Sequence, residues 1–154
     1  MLNGGPVTIL LVEDDPAHAE IVKRNMADFR IANRLYHVED GQAALDYLYR
    51  EGGFAGPDVA PRPDLILLDL RLPKVDGQQV LQRLNEDAAL RAIPVVVLTT
   101  SRAEVDLMSA YSHGACSYLV KPIDFDKFTE LLATFGFYWL IWNQFPHPVN
   151  PPKV

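Results

Sequence analysis

Basic residues are in short supply in this chain: 14 Lys and Arg stand against 20 Asp and Glu, the formal net charge is -6, and no run of cations occurs. Binding along a polyphosphate backbone draws on counterion release by such runs, so direct contact with nucleic acid is not expected. Cysteine is nearly absent. The single Cys116 cannot close an internal disulfide. In Gly114-Ala115-Cys116-Ser117 no neighbour supplies the base or cation that activates a thiol, so it reads as a small buried hydrophobe. The N-terminus lacks a charged segment followed by an apolar core and a cleavage site, which points to the cytoplasm. No apolar tract reaches membrane length: Leu131 to Trp142 falls well short of the roughly 20 residues a bilayer requires. It also lacks the basic flanks of an interfacial anchor, so no membrane association is expected. The four histidines, His18, His37, His113 and His147, are scattered without ligand spacing, and none is assigned to metal. No internal repeat or low-complexity tract is present.

What the chain does have is one domain's length, 154 residues, and 49% hydrophobic content, enough for an ordinary core. Apolar runs at Val7 to Val12, Arg34 to Val38, Leu65 to Asp69, Val95 to Thr99 and Ser117 to Val120 read as strands. Helical patterns alternate with them. Pro16 to Arg30 carries Val22, Met26 and Phe29 on one stripe, and Gly41 to Tyr49 carries Ala44, Leu45 and Leu48. Gly77 to Glu86 turns Val80, Leu81 and Leu84 inward, and Arg102 to His113 does so with Leu107, Ala110 and Tyr111. A fifth helix is signalled after Pro122 by Ile123-Asp124-Phe125-Asp126. The alternation implies right-handed crossovers and an α/β fold of the flavodoxin-like doubly wound kind, a parallel five-stranded sheet in the order 2-1-3-4-5. The Gly- and Pro-rich stretch from Arg50 to Pro63 reads as a long surface loop.

Four strands end on chemistry. Ile9-Leu10-Leu11-Val12 runs into Glu13-Asp14-Asp15, Leu65-Ile66-Leu67-Leu68 into Asp69, Val95-Val96-Val97-Leu98 into Thr99, and Tyr118-Leu119-Val120 into Lys121-Pro122. In a parallel sheet the carboxyl ends share one edge, which is the ligand-binding edge. Acids gathered there raise one another's pKa unless a cation joins them, and oxygen donors from Asp14, Asp69 and Glu13 suit Mg2+. Such an ion would make Asp69 usable as a nucleophile toward phosphorus. Lys121 and Thr99 would then share the charge of the transferred phosphoryl oxygens. Taken singly, each residue has a plainer role: Asp14 or Asp15 as a cap for the first helix, Thr99 as a cap for the fourth, Lys121 as a surface cation. Together, four strand ends with complementary groups argue for a site.

With those residues in view, the chain resembles a receiver domain of a two-component response regulator. The resemblance is carried by Ile9 to Asp15, Pro63 to Gly77, Ile93 to Ser101 and Gly114 to Pro122, and spans about residues 7 to 132 in order. It implies that Asp69 is the phosphoacceptor and that Glu13 and Asp14 hold Mg2+ with the backbone carbonyl of Arg71. It implies too that Thr99 and Lys121 grip the phosphoryl oxygens, that Tyr118 is the aromatic switch coupled to Thr99, and that the Lys121-Pro122 bond is cis. Arg71 departs from the family, whose most similar members often carry Asn there; a guanidinium at that place would pair with the site's acids or shield the acyl phosphate. The long loop before Pro63 and the lack of an output domain resemble the single-domain regulators that accompany bacterial and cyanobacterial phytochromes.

The expected division is a receiver domain over residues 1–130 and an extended fifth helix with a tail over 131–154. Phe125, Phe128, Leu132, Phe135, Trp139 and Trp142 follow one helix stripe, but Phe137, Tyr138, Leu140 and Ile141 make the second half apolar nearly all round. That surface calls for a cover, and a homodimer through helix four, strand five, helix five and the tail with Phe145 is expected. The implied function is a phosphorylation-dependent switch that receives its phosphoryl group from a sensor histidine kinase and catalyses only its own phosphorylation and dephosphorylation. A downstream phosphotransferase is a further partner. The alternative is a phosphohydrolase of the haloacid dehalogenase type, which also uses an Asp nucleophile but needs a second Asp where Arg71 stands. A flavin-binding module would share the sheet, yet its phosphate loop would not be acidic.

Overall fold

The computed structural model describes residues 6–28, 32–56, 58–109 and 116–134. Strand β1 (Val7–Val12) leads into helix α1 (Pro16–Asp28), then β2 (Asn33–Val38), α2 (Gly41–Tyr49), β3 (Leu65–Asp69) and α3 (Gly77–Glu86). Next come β4 (Val95–Thr99), α4 (Arg102–Ser109), β5 (Cys116–Val120) and α5 (Phe125–Thr134). All four strand pairs are parallel, and the sheet order is β2-β1-β3-β4-β5, as the alternation predicted.

Burial explains why these runs are strands. Every residue of β3 and β4 is buried, the pattern of a sheet covered on both faces. Side chains alternate between two apolar layers. Ile9, Leu11, Leu65, Leu67, Val96 and Leu98 pack with Val22, Met26, Phe128 and Leu132 of α1 and α5. Leu10, Val12, Ile66, Leu68, Val95 and Val97 pack with Ala44, Tyr47, Val80 and Leu84 of α2 and α3. Each fully buried Leu or Ile contributes roughly 1.5–3 kcal/mol by leaving water, so the strands are held rigidly up to their last residue.

Register then fixes the rim. Val12 pairs with Leu68, Asp69 with Leu98, and Thr99 with Val120, so Glu13, Asp69, Thr99 and Lys121 leave adjacent strands in neighbouring rows. Backbone bonds pin these ends: Glu13 N-H donates to Val38 O at 3.1 Å, Leu70 N-H to Leu98 O at 3.2 Å, and Lys121 N-H to Thr99 O at 2.7 Å. Helix α3 begins hard against the rim, for a Cβ on Gly77 would lie 2.6 Å from the carbonyl oxygens of Asp69 and Leu70.

Three details differ from the sequence reading. In α2 Ala44 and Leu45 are buried as expected, but the third inward side chain is Tyr47, 2% exposed, while Leu48 is only partly buried. The tyrosine ring lies inside because its hydroxyl has a partner, donating to Pro61 O at 2.8 Å. The stretch from Arg50 to Pro63 is accordingly more than a surface loop. It opens with a 3-10 turn at Gly52–Phe54, packs Phe54 at a tilt against Tyr47 with ring centroids 5.5 Å apart, and buries Ala60. Arg50 donates from Nε to Ala60 O at 3.1 Å, which ties the segment to the end of α2. Strands β2 and β5 each begin one residue earlier than expected, at Asn33 and Cys116. Phe29 and Arg30, the part of helix four beyond Ser109 and the side chain of Leu107 lie outside the described residues. So do the residues expected to form the dimer surface, Phe135, Phe137, Tyr138, Trp139, Leu140, Ile141, Trp142 and Phe145.

Candidate functional site

The edge formed by the carboxyl ends of β1, β3, β4 and β5 brings together all four chemical groups. Glu13, Asp69 and Thr99 are buried, at 1%, 8% and 4% exposure, although each is polar or charged. Burying unpaired charge is costly, so the partners matter. The Lys121 ammonium donates to Glu13 Oε1 and lies 3.6 Å from Asp69 Oδ2. The second oxygen of Glu13 accepts from Asp15 N-H at 3.3 Å, and Asp69 Oδ1 accepts from Arg71 N-H at 3.3 Å. The Lys121-Pro122 bond is cis, as the resemblance implied.

The cap of α1 goes to one of its two candidates, and the plainer roles of Thr99 and Lys121 do not hold. Asp15, not Asp14, caps α1, accepting from Ala17 N-H at 2.9 Å and His18 N-H at 3.3 Å. Ser101, not Thr99, caps α4, accepting from Glu104 N-H at 3.1 Å. Lys121 is no surface cation, since its side chain is only 10% exposed.

Electrostatics split the two buried acids. Burial drives the Asp69 carboxyl up to about 7 from its ordinary 3.8, the hydrogen bond shared with Glu13 adds to the rise, and Lys121 offsets part of it. Burial acts on Glu13 in the same sense, but its hydrogen bonds to Asp69 and Lys121 prevail and hold it below the ordinary range. One lysine therefore serves two carboxylates, and the pair is left short of positive charge. Glu13, Asp14 and Asp69 can each present one oxygen within 4.8 Å of the others. An all-oxygen set with the exposed Asp14 facing solvent suits a hard divalent cation such as Mg2+, which keeps part of its water shell.

Arg71 does not pair with the acids of the site. Its guanidinium reaches α4, where Nη2 donates to Glu104 Oε2 at 2.6 Å. The other oxygen of Glu104 accepts from Thr99 Oγ1 at 2.5 Å. Tyr118 is half-buried and packs against the α2 and α3 layer.

Two residues at the site were not singled out from sequence. His18 sits on the first turn of α1 with Nδ1 3.2 Å from Lys121 Nζ and Nε2 3.7 Å from Asp15 Oδ2. Its place five residues after Glu13, just inside a helix that starts at the rim, was the available signal. Glu104 was signalled by the spacing Ser101-x-x-Glu104, which marks a helix start directly after Thr99.

An acidic cluster at the carboxyl edge of a doubly wound sheet, with Lys and Thr beside the acids, is suited to hold a hard cation and to meet a phosphoryl group. The chain belongs to the response regulator receiver domain family, whose model matches residues 9–133. It is 47% identical over 144 residues, 93% of this chain and 90% of the relative, to "Probable methanogenesis regulatory protein FilR2" of Methanothrix harundinacea. Response regulator Rcp1 of Synechocystis sp. is 38% identical over 135 residues, covering 88% of this chain and 90% of its own. The solved Mn2+-bound form of Rcp1 superposes with a TM-score of 0.66, covering 96% of this chain and 100% of that one at 37% identity. The bacteriophytochrome response regulator AtBRR superposes with a TM-score of 0.77 at 38% identity, covering 94% and 98%. The haloacid dehalogenase alternative finds no support here. Where that chemistry needs an acid, Arg71 stands with its side chain turned to Glu104.

Proposed function

We propose that this receiver domain is a cytoplasmic phospho-switch in which Asp69 takes a phosphoryl group from the phosphohistidine of a sensor kinase. The observation that carries the reading is Asp69 itself: a buried carboxylate at a strand end, within reach of Lys121, beside Glu13 and Asp14, with Thr99 on the next strand. Glu13, Asp14 and Asp69, with the Arg71 backbone carbonyl, would hold Mg2+. When bound, the ion neutralises charge on both the carboxylate and the incoming phosphoryl group.

The residues of the chain divide the remaining work. A carboxylate oxygen of Asp69 forms a bond to phosphorus while the bond from phosphorus to the donor nitrogen breaks, and the donor imidazole leaves. Lys121 gives its ammonium charge to the phosphoryl oxygens, which compete with Glu13 for it. Thr99 donates its hydroxyl to a second oxygen, and Tyr118 follows the space that Thr99 vacates. Water later cleaves the acyl phosphate and restores Asp69, so the domain catalyses only its own modification and its reversal. The similarity to bacteriophytochrome response regulators supports a phytochrome-type kinase as donor. Output runs through the face of α4, β5 and α5, to a homodimer partner completed by residues 131–154 or to a downstream phosphotransferase, with no direct nucleic-acid contact and no membrane association. Among the described residues no helix is long and apolar enough to cross a membrane.

Incubation with acetyl phosphate and Mg2+, read by intact mass, tests this. The protein is expected to gain one phosphoryl group, and Asp69→Asn none; equal labelling of both removes Asp69 from its role. Sedimentation showing only monomer at micromolar concentration removes the dimer.

A further inference from the structure

We propose that Glu104 is a positioning residue that holds the Thr99 hydroxyl away from the phosphorylation site and exchanges it for the cap of α4 when Asp69 is modified. This rests on the reading of Asp69 as phosphoacceptor and adds to it a group that sets how readily Thr99 is released.

A hydroxyl carries one proton. That of Thr99 is committed to Glu104 Oε1 at 2.5 Å, a charge-assisted bond, while its oxygen accepts Ser101 N-H at 3.2 Å. Thr99 cannot donate to a phosphoryl oxygen until it leaves the carboxylate. Glu104 is therefore a competitor for the proton that the modified site needs.

A second helix of the same chain shows what Glu104 gives up in this arrangement. At the start of α3, Asp76 and Gln79 form a complete capping box: Gln79 N-H donates to Asp76 Oδ1 at 2.9 Å, and Asp76 N-H donates back to Gln79 Oε1 at 3.0 Å. Ser101 and Glu104 have the same spacing and make only the first half, Glu104 N-H to Ser101 Oγ at 3.1 Å. The returning bond is missing because Ser101 N-H is spent on Thr99 and the Glu104 carboxylate is drawn to Thr99 and Arg71. When Thr99 turns to the phosphoryl group it frees both groups at once, and Ser101 N-H can then meet Glu104. One pair of hydrogen bonds is traded for another, and the start of α4 tightens. Arg71, 2.6 Å from Oε2, keeps the carboxylate paired during the exchange.

Beryllofluoride with Mg2+ is a non-covalent stand-in for the phosphoryl group, and its affinity for the full chain can be titrated by 19F NMR. Glu104→Ala is expected to bind it about fivefold more tightly than the unmodified chain, because Thr99 is already free. Glu104→Gln keeps an acceptor and the helix-start geometry and is expected to lie between the two. In a Thr99→Val background, Glu104→Ala and Glu104→Gln are expected to change affinity by less than about twofold, since no hydroxyl remains to hold back. Unchanged or weaker binding by both Glu104 variants overturns the proposal. Equal tightening in the Thr99→Val background does so as well, since relief of charge repulsion alone would explain it. Failure of the unmodified chain to bind beryllofluoride would instead overturn the reading of Asp69.

Discussion

Two ion-paired arms meet at the site, and they differ chiefly in their exposure to water. In the first, the Lys121 side chain is 10% exposed and Glu13 is fully enclosed, with Asp69 drawn in beside them. In the second, Arg71 is 77% exposed and Glu104 24%. Pairs of comparable geometry then do different work. Breaking the enclosed arm leaves charge in a poorly solvated place, so it is costly to open without another charge to take its place, and its lysine offsets part of the rise that burial imposes on Asp69. Breaking the open arm returns its groups to water at little cost, so it adds little to stability and serves to keep the Glu104 carboxylate paired beside Thr99.

The largest effect is expected from the enclosed arm. Lys121→Ala strands two carboxylates, and urea unfolding at about pH 8 without divalent ions should show a loss of about 3 kcal/mol. A loss well under about 1 kcal/mol would mean the two arms are energetically alike.

Asp69→Asn should act in the opposite direction. The Asp69 carboxyl titrates at about 7 in the folded protein against an ordinary 3.8, so the folded state binds its proton more tightly than the unfolded one. Stability from this group is complete below about pH 4 and is lost as the pH rises through about 7. Replacing the carboxylate by an amide removes the penalty, so the variant should gain about 2 kcal/mol above pH 7 in the absence of metal, the coupling to Glu13 taking up the rest. The gain should shrink steadily toward about pH 4. A gain of the same size at every pH would contradict a buried Asp69 carboxyl raised by its surroundings and by Glu13.

The smallest effect belongs to the open arm. Arg71→Ala should change unfolding stability by less than about 0.5 kcal/mol. A cost approaching that of Lys121→Ala would erase the distinction between the arms.

Much of this architecture was legible in the residue pattern. The apolar runs of β1, β3 and β4 are long enough and pure enough that burial on both faces was the available explanation, and their observed bounds agree with it. Register followed from topology, which is why Glu13, Asp14, Asp69, Thr99 and Lys121 could be grouped from separate stretches. Tyr47 was missed because helix periodicity weighs apolar side chains, while its inward position depends on a hydroxyl partner, Pro61 O, fourteen residues away. The role of the Arg50 to Pro63 stretch was hidden for the same reason, as its order comes from tertiary contacts to α2. Arg71 and Glu104 show a different limit. Arg71 stood out as a departure from the family and Glu104 did not, since the direction of a long guanidinium at a loop depends on which carboxylate is nearest in space. The sequence spacing between the two, 33 residues, carries no hint of the 2.6 Å contact.

The measurement that bears most directly on the central claim is chemical trapping of the modified residue. Borohydride reduces an aspartyl phosphate to homoserine, so treating the protein after incubation with acetyl phosphate and Mg2+, then sequencing peptides by mass spectrometry, reports which carboxylate was modified. Homoserine at position 69, absent when EDTA replaces Mg2+, is the predicted result. Homoserine at Asp14 or another acid, or conversion at Asp69 that ignores the metal, would contradict an enclosed carboxylate made reactive by its acidic neighbours and their cation.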